Sequence, residues 1–177
     1  MRKFKLIWLL FFLLFGHPVT FSAAPSSPQS LPRMVSLGAK RVYLRVGPDK
    51  TYRVLLEFCK EGLPVEIFLE YDSWRKIRDH EGSEGWVHKS MLSGKRSTLF
   101  LKGTHALRKS PEDEAPVVAH VEGGVVGKLG QYNKQWCQVE VKGYKGWVQR
   151  KAVWGLYPQE ESSPKKCLLP FLPFFCR

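Results

Sequence analysis

The sequence predicts an all-β protein, two small β-barrels in tandem behind an N-terminal export signal. Three observations carry that expectation. A set of landmarks recurs in one order at a spacing of about 62 residues, the mark of an internal duplication. Between the landmarks lie short runs rich in β-branched and aromatic residues, separated by turn residues. No window over about ten residues in either repeat sustains the 3.6-residue apolar period of an amphipathic helix.

Composition sets the outer bounds. The chain has 177 residues, 44% hydrophobic and 25% charged, the balance of a folded rather than a disordered chain. Its 28 Lys and Arg outweigh 16 Asp and Glu, giving a net charge of +12. That excess is spread over both halves and never forms a basic run like a nucleic-acid arm, so no nucleic-acid partner is expected. A mixed, mildly cationic surface would attract a polyanion weakly. Four Cys are too few for a disulfide scaffold. No apolar run reaches the roughly 18–20 residues of a transmembrane span.

The N-terminus reads as a secretory signal peptide, residues 1–24. Arg2, Lys3 and Lys5 form a basic start, residues 6–15 are unbroken apolar, and Gly16 and Pro18 end the run. The small residues Ser22, Ala23 and Ala24 follow, where cleavage is expected; an uncleaved anchor is the alternative. The expected location is therefore periplasmic or extracellular. Residues 25–36, with their Pro and Ser, read as a flexible leader.

The repeat spans 37–97 and 98–157. Leu44-Arg45-Val46-Gly47-Pro48 lies over Leu107-Arg108-Lys109-Ser110-Pro111, Glu61-Gly62 over Glu122-Gly123, and Tyr71 over Tyr132. Trp74 lies over Trp136, and Gly85-Trp86-Val87 over Gly146-Trp147-Val148. In the first repeat, 54–58, 65–71, 74–78 and 85–88 read as strands, with Lys60-Glu61-Gly62, Asp72-Ser73 and Glu81-Gly82-Ser83 as turns. The 74–78 run has no purely apolar face. Its counterpart does: Cys137, Val139 and Val141 alternate with Trp136, Gln138 and Glu140, and a hairpin turn follows at 142–146. Several short strands in fewer than about 60 residues suggest a small antiparallel barrel.

These residues resemble the bacterial SH3-like domain. The pattern is Leu-Arg-x-Gly-Pro near the start, a Gly-x-x-Val turn, one Trp in mid-unit and a closing Gly-Trp-Val. Gly62-Leu63-Pro64-Val65, Trp74-Arg75-Lys76-Ile77 and Gly85-Trp86-Val87-His88 carry it in the first unit, and Trp136-Cys137-Gln138-Val139 and Gly143-Tyr144-Lys145-Gly146-Trp147 in the second. The likeness is closest to a two-copy type of secreted alphaproteobacterial proteins and covers residues 37–157. It implies five or so strands per unit and a link to cell-wall or peptide binding. The second unit departs from it, with Lys109-Ser110-Pro111 where Gly-Pro stands, and is expected to be structural.

The candidate ligand-binding residues are Arg45, Tyr52, Tyr71, Asp72, Trp74, Arg75 and Trp86. Aromatic faces beside loops can stack a sugar ring or a peptide, while the charged groups supply polar contacts. Packing and hairpin pairing are the competing explanation for each. The first unit is expected to carry the main groove, and Trp136 is expected to contribute little.

No catalytic residue, metal site or cofactor is expected. His80, His88, His105 and His120 show no metal spacing, and Cys137 lies on an apolar face that suits a buried thiol better than a nucleophile. A wall peptidase would need a further domain on the order of 100 residues, more than signal and repeats leave. Residues 158–177 read as a tail: a polar stretch, then Cys167-Leu168-Leu169-Pro170-Phe171-Leu172-Pro173-Phe174-Phe175-Cys176, a frayed end, an interfacial anchor or a Cys167–Cys176 loop. The expected function is non-enzymatic binding of an envelope ligand, a cell-wall glycan or peptide; the alternative is an adaptor for another envelope protein or a host surface.

Overall fold

The computed structural model describes residues 29–162. The signal peptide expected at 1–24, and Cys167 and Cys176 of the tail, lie outside the described residues.

Strands form where the β-branched and aromatic runs lie. In the first repeat they are β1 (Arg33–Leu37), β2 (Val42–Arg45), β3 (Val54–Phe58), β4 (Pro64–Tyr71), β5 (Trp74–Arg78), β6 (Glu84–His88) and β7 (Leu92–Ser93). The second contributes β8 (Ser97–Phe100), β9 (Thr104–Arg108), β10 (Val117–Glu122), β11 (Val126–Tyr132), β12 (Trp136–Val141), β13 (Tyr144–Gln149) and β14 (Val153–Trp154). A single 3-10 turn precedes β7 and another precedes β14. The two seven-stranded sheets run in the orders β3-β2-β6-β5-β4-β1-β7 and β10-β9-β13-β12-β11-β8-β14. Each strand of the second sheet stands where the strand seven earlier stands in the first, so the sequence repeat is a repeat of topology.

Hairpin geometry follows local chemistry. Val141 pairs with Tyr144, leaving Lys142-Gly143 as a two-residue loop with φ of 48° and 87°. Positive φ at both positions is the turn whose twist matches the flanking strands, and glycine takes the second position without strain. Tyr71 pairs with Trp74 across Asp72-Ser73, with Asp72 at φ 46°.

Each sheet closes on its own apolar interior. Leu37, Val42, Leu44, Val65, Ile67, Ile77 and Val87 fill the first barrel; Leu107, Cys137, Val139, Val141 and Val148 are central to the second. Leu99 crosses the boundary: it belongs to β8 of the second sheet but packs in the first core, with Val126 against it.

Polar groups seal the same seam. The Ser36 and Ser97 hydroxyls are 2.5 Å apart, Ser97 Oγ donates to the Gly62 carbonyl at 2.5 Å, and Lys60 Nζ donates to the Gly124 carbonyl at 2.7 Å. Tyr157 Oη donates to Glu66 Oε1 at 2.8 Å; burial, together with that carboxylate, pushes the phenol above its ordinary range.

Two boundaries differ from the sequence reading. The first sheet begins at Arg33 rather than Leu37, because Arg33 to Ser36 pair along β4 and Arg33 Nη2 meets Glu70 Oε1 at 2.5 Å. The described part of the tail is fastened down. Arg96 grips the Glu160 carboxylate at 2.6 and 3.2 Å, and Ser162 Oγ donates to the Tyr132 carbonyl at 2.7 Å. Burial works to raise the Glu160 carboxyl, but the Arg96 bonds outweigh it and hold it below the usual range.

Candidate functional site

Register across the first sheet builds one continuous line of side chains. Val54 stands opposite Arg45, Arg45 opposite Trp86, Trp86 opposite Lys76, and Lys76 opposite Leu69. Directly opposed residues in antiparallel strands share a face. Gly85 and Val87 are buried, so Trp86 between them is on the outer face, half-buried. Tyr71, 61% exposed, meets Trp86 edge-on with ring centroids 6.5 Å apart.

Cations lie over two further rings, Tyr43 and Phe68. Arg45 Cζ is 6.0 Å from the Tyr43 ring centroid, and Lys76 Nζ and Arg78 Cζ are 5.4 and 5.1 Å from that of Phe68. Cation and ring attract through the ring quadrupole, which keeps long side chains extended over the surface. The result is an open band of aromatic faces and cations, suited to stacking a ring or a planar peptide group. Glu84 pairs with Lys76 at 3.8 Å and with Arg78 at 2.6 Å, and Glu66 with Arg78 at 3.4 Å, so Arg45 is the cation of the band that binds polar substituents most freely. Isolated exposed apolar residues are ordinary on a protein surface; a contiguous group marks a contact site.

The sequence-identified residues take three positions. Arg45, Tyr71 and Trp86 lie in the band. Trp74 shares that face but is buried, edge-on to His88 at 5.4 Å. Tyr52 lies on the adjoining loop, which Arg45 holds by donating from Nη1 to the Tyr52 carbonyl at 2.7 Å. Asp72 and Arg75 shape the turn: Arg75 Nη1 donates to the carbonyls of Asp72 and Trp74 at 2.9 Å each, and its Nε meets Glu70 at 3.0 Å. Tyr43, Phe68 and Lys76 were not singled out from sequence. Strand parity with Arg45 and Trp86 marks Tyr43 and Lys76, but the β4 bulge between Ile67 and Leu69 interrupts the parity that would mark Phe68.

The second barrel repeats the frame. Val117, Arg108, Trp147 and Gln138 are opposed in the same line, and Arg108 Nη1 donates to the Ala115 carbonyl at 2.8 Å, again seven residues on. The departure from Gly-Pro has a physical reason. A Cβ on Gly47 would lie 2.7 Å from the Tyr52 ring. The residues equivalent to Gly47 and Tyr52 are Ser110 and Ala115; where the ring is absent, the glycine is not required. The second barrel also holds a feature the sequence reading missed. Trp136, buried in its wall, lines a cavity of about 480 Å³ with Arg108, Asp113 and Gln149.

The cysteines are held differently. Cys59 is exposed, 3.8 Å from Glu57 Oε1. Cys137 is buried and donates to the Val148 carbonyl at 3.7 Å, and burial pushes its thiol up to about 12. A thiol reagent is therefore expected to label Cys59 in the folded protein and Cys137 only on unfolding, read by peptide mass mapping. The fold holds the Cys137 proton more tightly than the unfolded chain does. Its contribution to stability is intact below the ordinary thiol value of 9.0 and is lost as pH rises from there toward about 12.

Among the described residues no helix is long and apolar enough to cross a membrane. The family described as bacterial SH3 domain matches twice, over residues 38–94 and 102–155. No curated protein matches the chain. Among solved structures it is similar to NlpC2 from Trichomonas vaginalis, at 16% identity and a TM-score of 0.34, covering 75% of this chain and 51% of that one. NlpC1 from the same organism gives 19%, 0.32, 74% and 48%, and an NlpC/P60 family protein from Bacillus cereus ATCC 10987 gives 13%, 0.32, 68% and 55%. The chain spans about half the length of these proteins. Two family matches laid over two sheets of one topology settle the affiliation: the chain belongs to the bacterial SH3 domain family and carries the domain in two tandem copies.

Proposed function

We propose that this protein is an exported, non-enzymatic binding protein whose first SH3 domain recognises a cell-envelope ligand, a peptidoglycan glycan or peptide. The observation that carries the reading is the open band across the first sheet, with Tyr71 edge-on to Trp86 and Arg45 and Lys76 on either side of the indole. Sugar rings and peptide planes stack on such faces, and the cations bind their hydroxyls and carboxylates. Bacterial SH3 domains are typically binding modules, and the basic, apolar, small-residue order at the N-terminus supports export. In this reading Arg45 and Trp86 contact the ligand with Tyr71, Tyr52 flanks it, Trp74 supports the floor, and Asp72 and Arg75 set the turn that presents Tyr71.

Sedimentation with purified sacculi tests it. The protein recovered outside the cytoplasm is expected to co-sediment, and Tyr71→Ala to weaken binding about tenfold, the loss of one stacked anchor. Tyr144→Ala, at an equally exposed tyrosine of the second domain, is the control and should bind as the parent. No co-sedimentation, or equal loss from both variants, would refute the proposal.

One observation favours the alternative of a protein adaptor. β3 is a sheet edge, and its Val54, Leu55 and Leu56 are 38%, 46% and 39% exposed. An apolar open edge is a template for strand addition by another protein. Capture of an envelope protein that is lost on Leu55→Lys, with sacculus binding absent, would select that reading.

A further inference from the structure

The wall around Trp136 in the second domain combines space, charge and fixed geometry. The 480 Å³ cavity adjoins a second of about 350 Å³, and Asp113, Trp136, Gln149 and Lys151 line both. The joint cleft is within the size range of small-ligand sites, about 300–1,000 Å³. Four cations line it, Arg108, Lys134, Arg150 and Lys151, against one carboxylate, Asp113.

The two arginines are oriented without being neutralised. Arg108 donates to the Ala115 carbonyl at 2.8 Å. Arg150 donates to the carbonyls of Asn133 and Glu160 at 2.7 Å each, and to that of Tyr157. Carbonyl acceptors fix a guanidinium in place but leave its charge, which a carboxylate would satisfy far better. Among the described residues neither arginine nor Lys151 has a carboxylate in ion-pair range, and Lys134 reaches Glu161 only at 3.9 Å. Asp113 is engaged by Gln149, whose Nε2 donates to Oδ1 at 2.6 Å. At the corresponding place in the first domain, His88 stands edge-on against Trp74.

We infer that this cleft is a second ligand site, which takes a short peptide bearing carboxylates. The cations receive the carboxylates, and the indole and the adjoining Val148 and Ala152 receive an aliphatic side chain. The Gln149 amide and Asp113 serve backbone C=O and N–H groups. Asp113 also selects against a polyphosphate, which would bring only negative charge to it. The inference is independent of the band on the first domain.

Titration of the 15N-labelled full chain with the tripeptide Ala-Glu-Ala, free at both ends, tests it. The Trp136 indole N–H and the Gln149 side-chain amide are expected to shift saturably in the millimolar range or below. N-acetyl-Ala-Gln-Ala-amide should bind about tenfold more weakly or worse. The double variant Lys134→Gln, Lys151→Gln should lose about tenfold, since both side chains are exposed and rim charges of this kind act on the ligand, not on the fold. Tyr71→Ala should leave the titration unchanged, which separates this site from the first-domain band. Absence of saturable shifts, an equal response to the neutral peptide, or an unaltered titration in the double variant overturns the site. Displacement of the tripeptide by an equal concentration of inorganic phosphate overturns its assignment to peptide.

Discussion

Gly85→Ala is expected to destabilise the first domain by about 1–3 kcal/mol, the range for forcing atoms into a packed interior. A Cβ there would lie 2.7 Å from Leu44 Cγ and 2.8 Å from the Arg45 carbonyl oxygen. The leucine can turn; the carbonyl cannot, because it belongs to the β2–β6 contact that sets Arg45 opposite Trp86. The same substitution should therefore also weaken ligand binding by the band in the fraction that remains folded. Gly146→Ala repeats the experiment in the second domain, where the new atom would meet Leu107 Cβ at 2.9 Å and the Arg108 carbonyl oxygen at 3.0 Å. Gly94→Ala is the control: nothing lies within 4 Å of its added atom, and the change should stay within about 0.5 kcal/mol. Urea unfolding followed by tryptophan fluorescence reads all three. A midpoint for Gly85→Ala equal to that of Gly94→Ala would show that β2 and β6 separate freely.

Leu99→Ala is expected to cost about 2–5 kcal/mol, as for a leucine removed from a core that cannot collapse around the gap. Leu99 is 3% exposed and packs with Leu37, Val65 and Ile67 of the first domain while its strand pairs with β11 and β14 of the second. Its loss therefore removes core from one domain and the coupling between both. The parent should unfold in one transition; Leu99→Ala should unfold in two, the first domain melting earlier. Val139→Ala, fully buried in the second core alone, should destabilise by a smaller amount and keep the seam intact. Calorimetry distinguishes these outcomes, and a single unshifted transition for Leu99→Ala would mean that the domains are held together by the polar seam only.

Much of the fold was legible because its landmarks answer local demands. The Gly of each Gly-Trp-Val is required by backbone approach between two strands, and Lys142-Gly143 by a turn with two positive φ values. Such constraints act within a few residues, so they survive as a readable pattern in both copies. The alternation of Cys137, Val139 and Val141 likewise named the buried face of β12 correctly, since each is buried. The candidate site was legible only in part. Tyr71, Arg45 and Trp86 were named from type and position, and the structure brings them together; Asp72 and Arg75, chosen for their charge, serve a turn whose hydrogen bonds depend on backbone direction.

The sequence by itself determined the duplication, the all-β class, the strands between the turns and the family. Tertiary structure alone decided what lies across from what. Arg33 to Ser36 became strand because β4 pairs with their backbone, Met34 is buried, Val35 packs against the first core, and the seam supplies a partner for Ser36. Leu99 entered the neighbouring core, and Glu160 was drawn out of a polar tail by Arg96, 64 residues away. Trp136, which strand alternation sets on the polar face of β12, became the wall of a cationic cleft because a strand end, a loop and a 3-10 turn distant in sequence place Arg108, Asp113 and Arg150 around it. The physical reason is common to all of these: the hydrophobic and hydrogen-bonding needs of each side chain are written in its chemistry, whereas the partner that meets them is fixed only when non-local strands pair and the two sheets close.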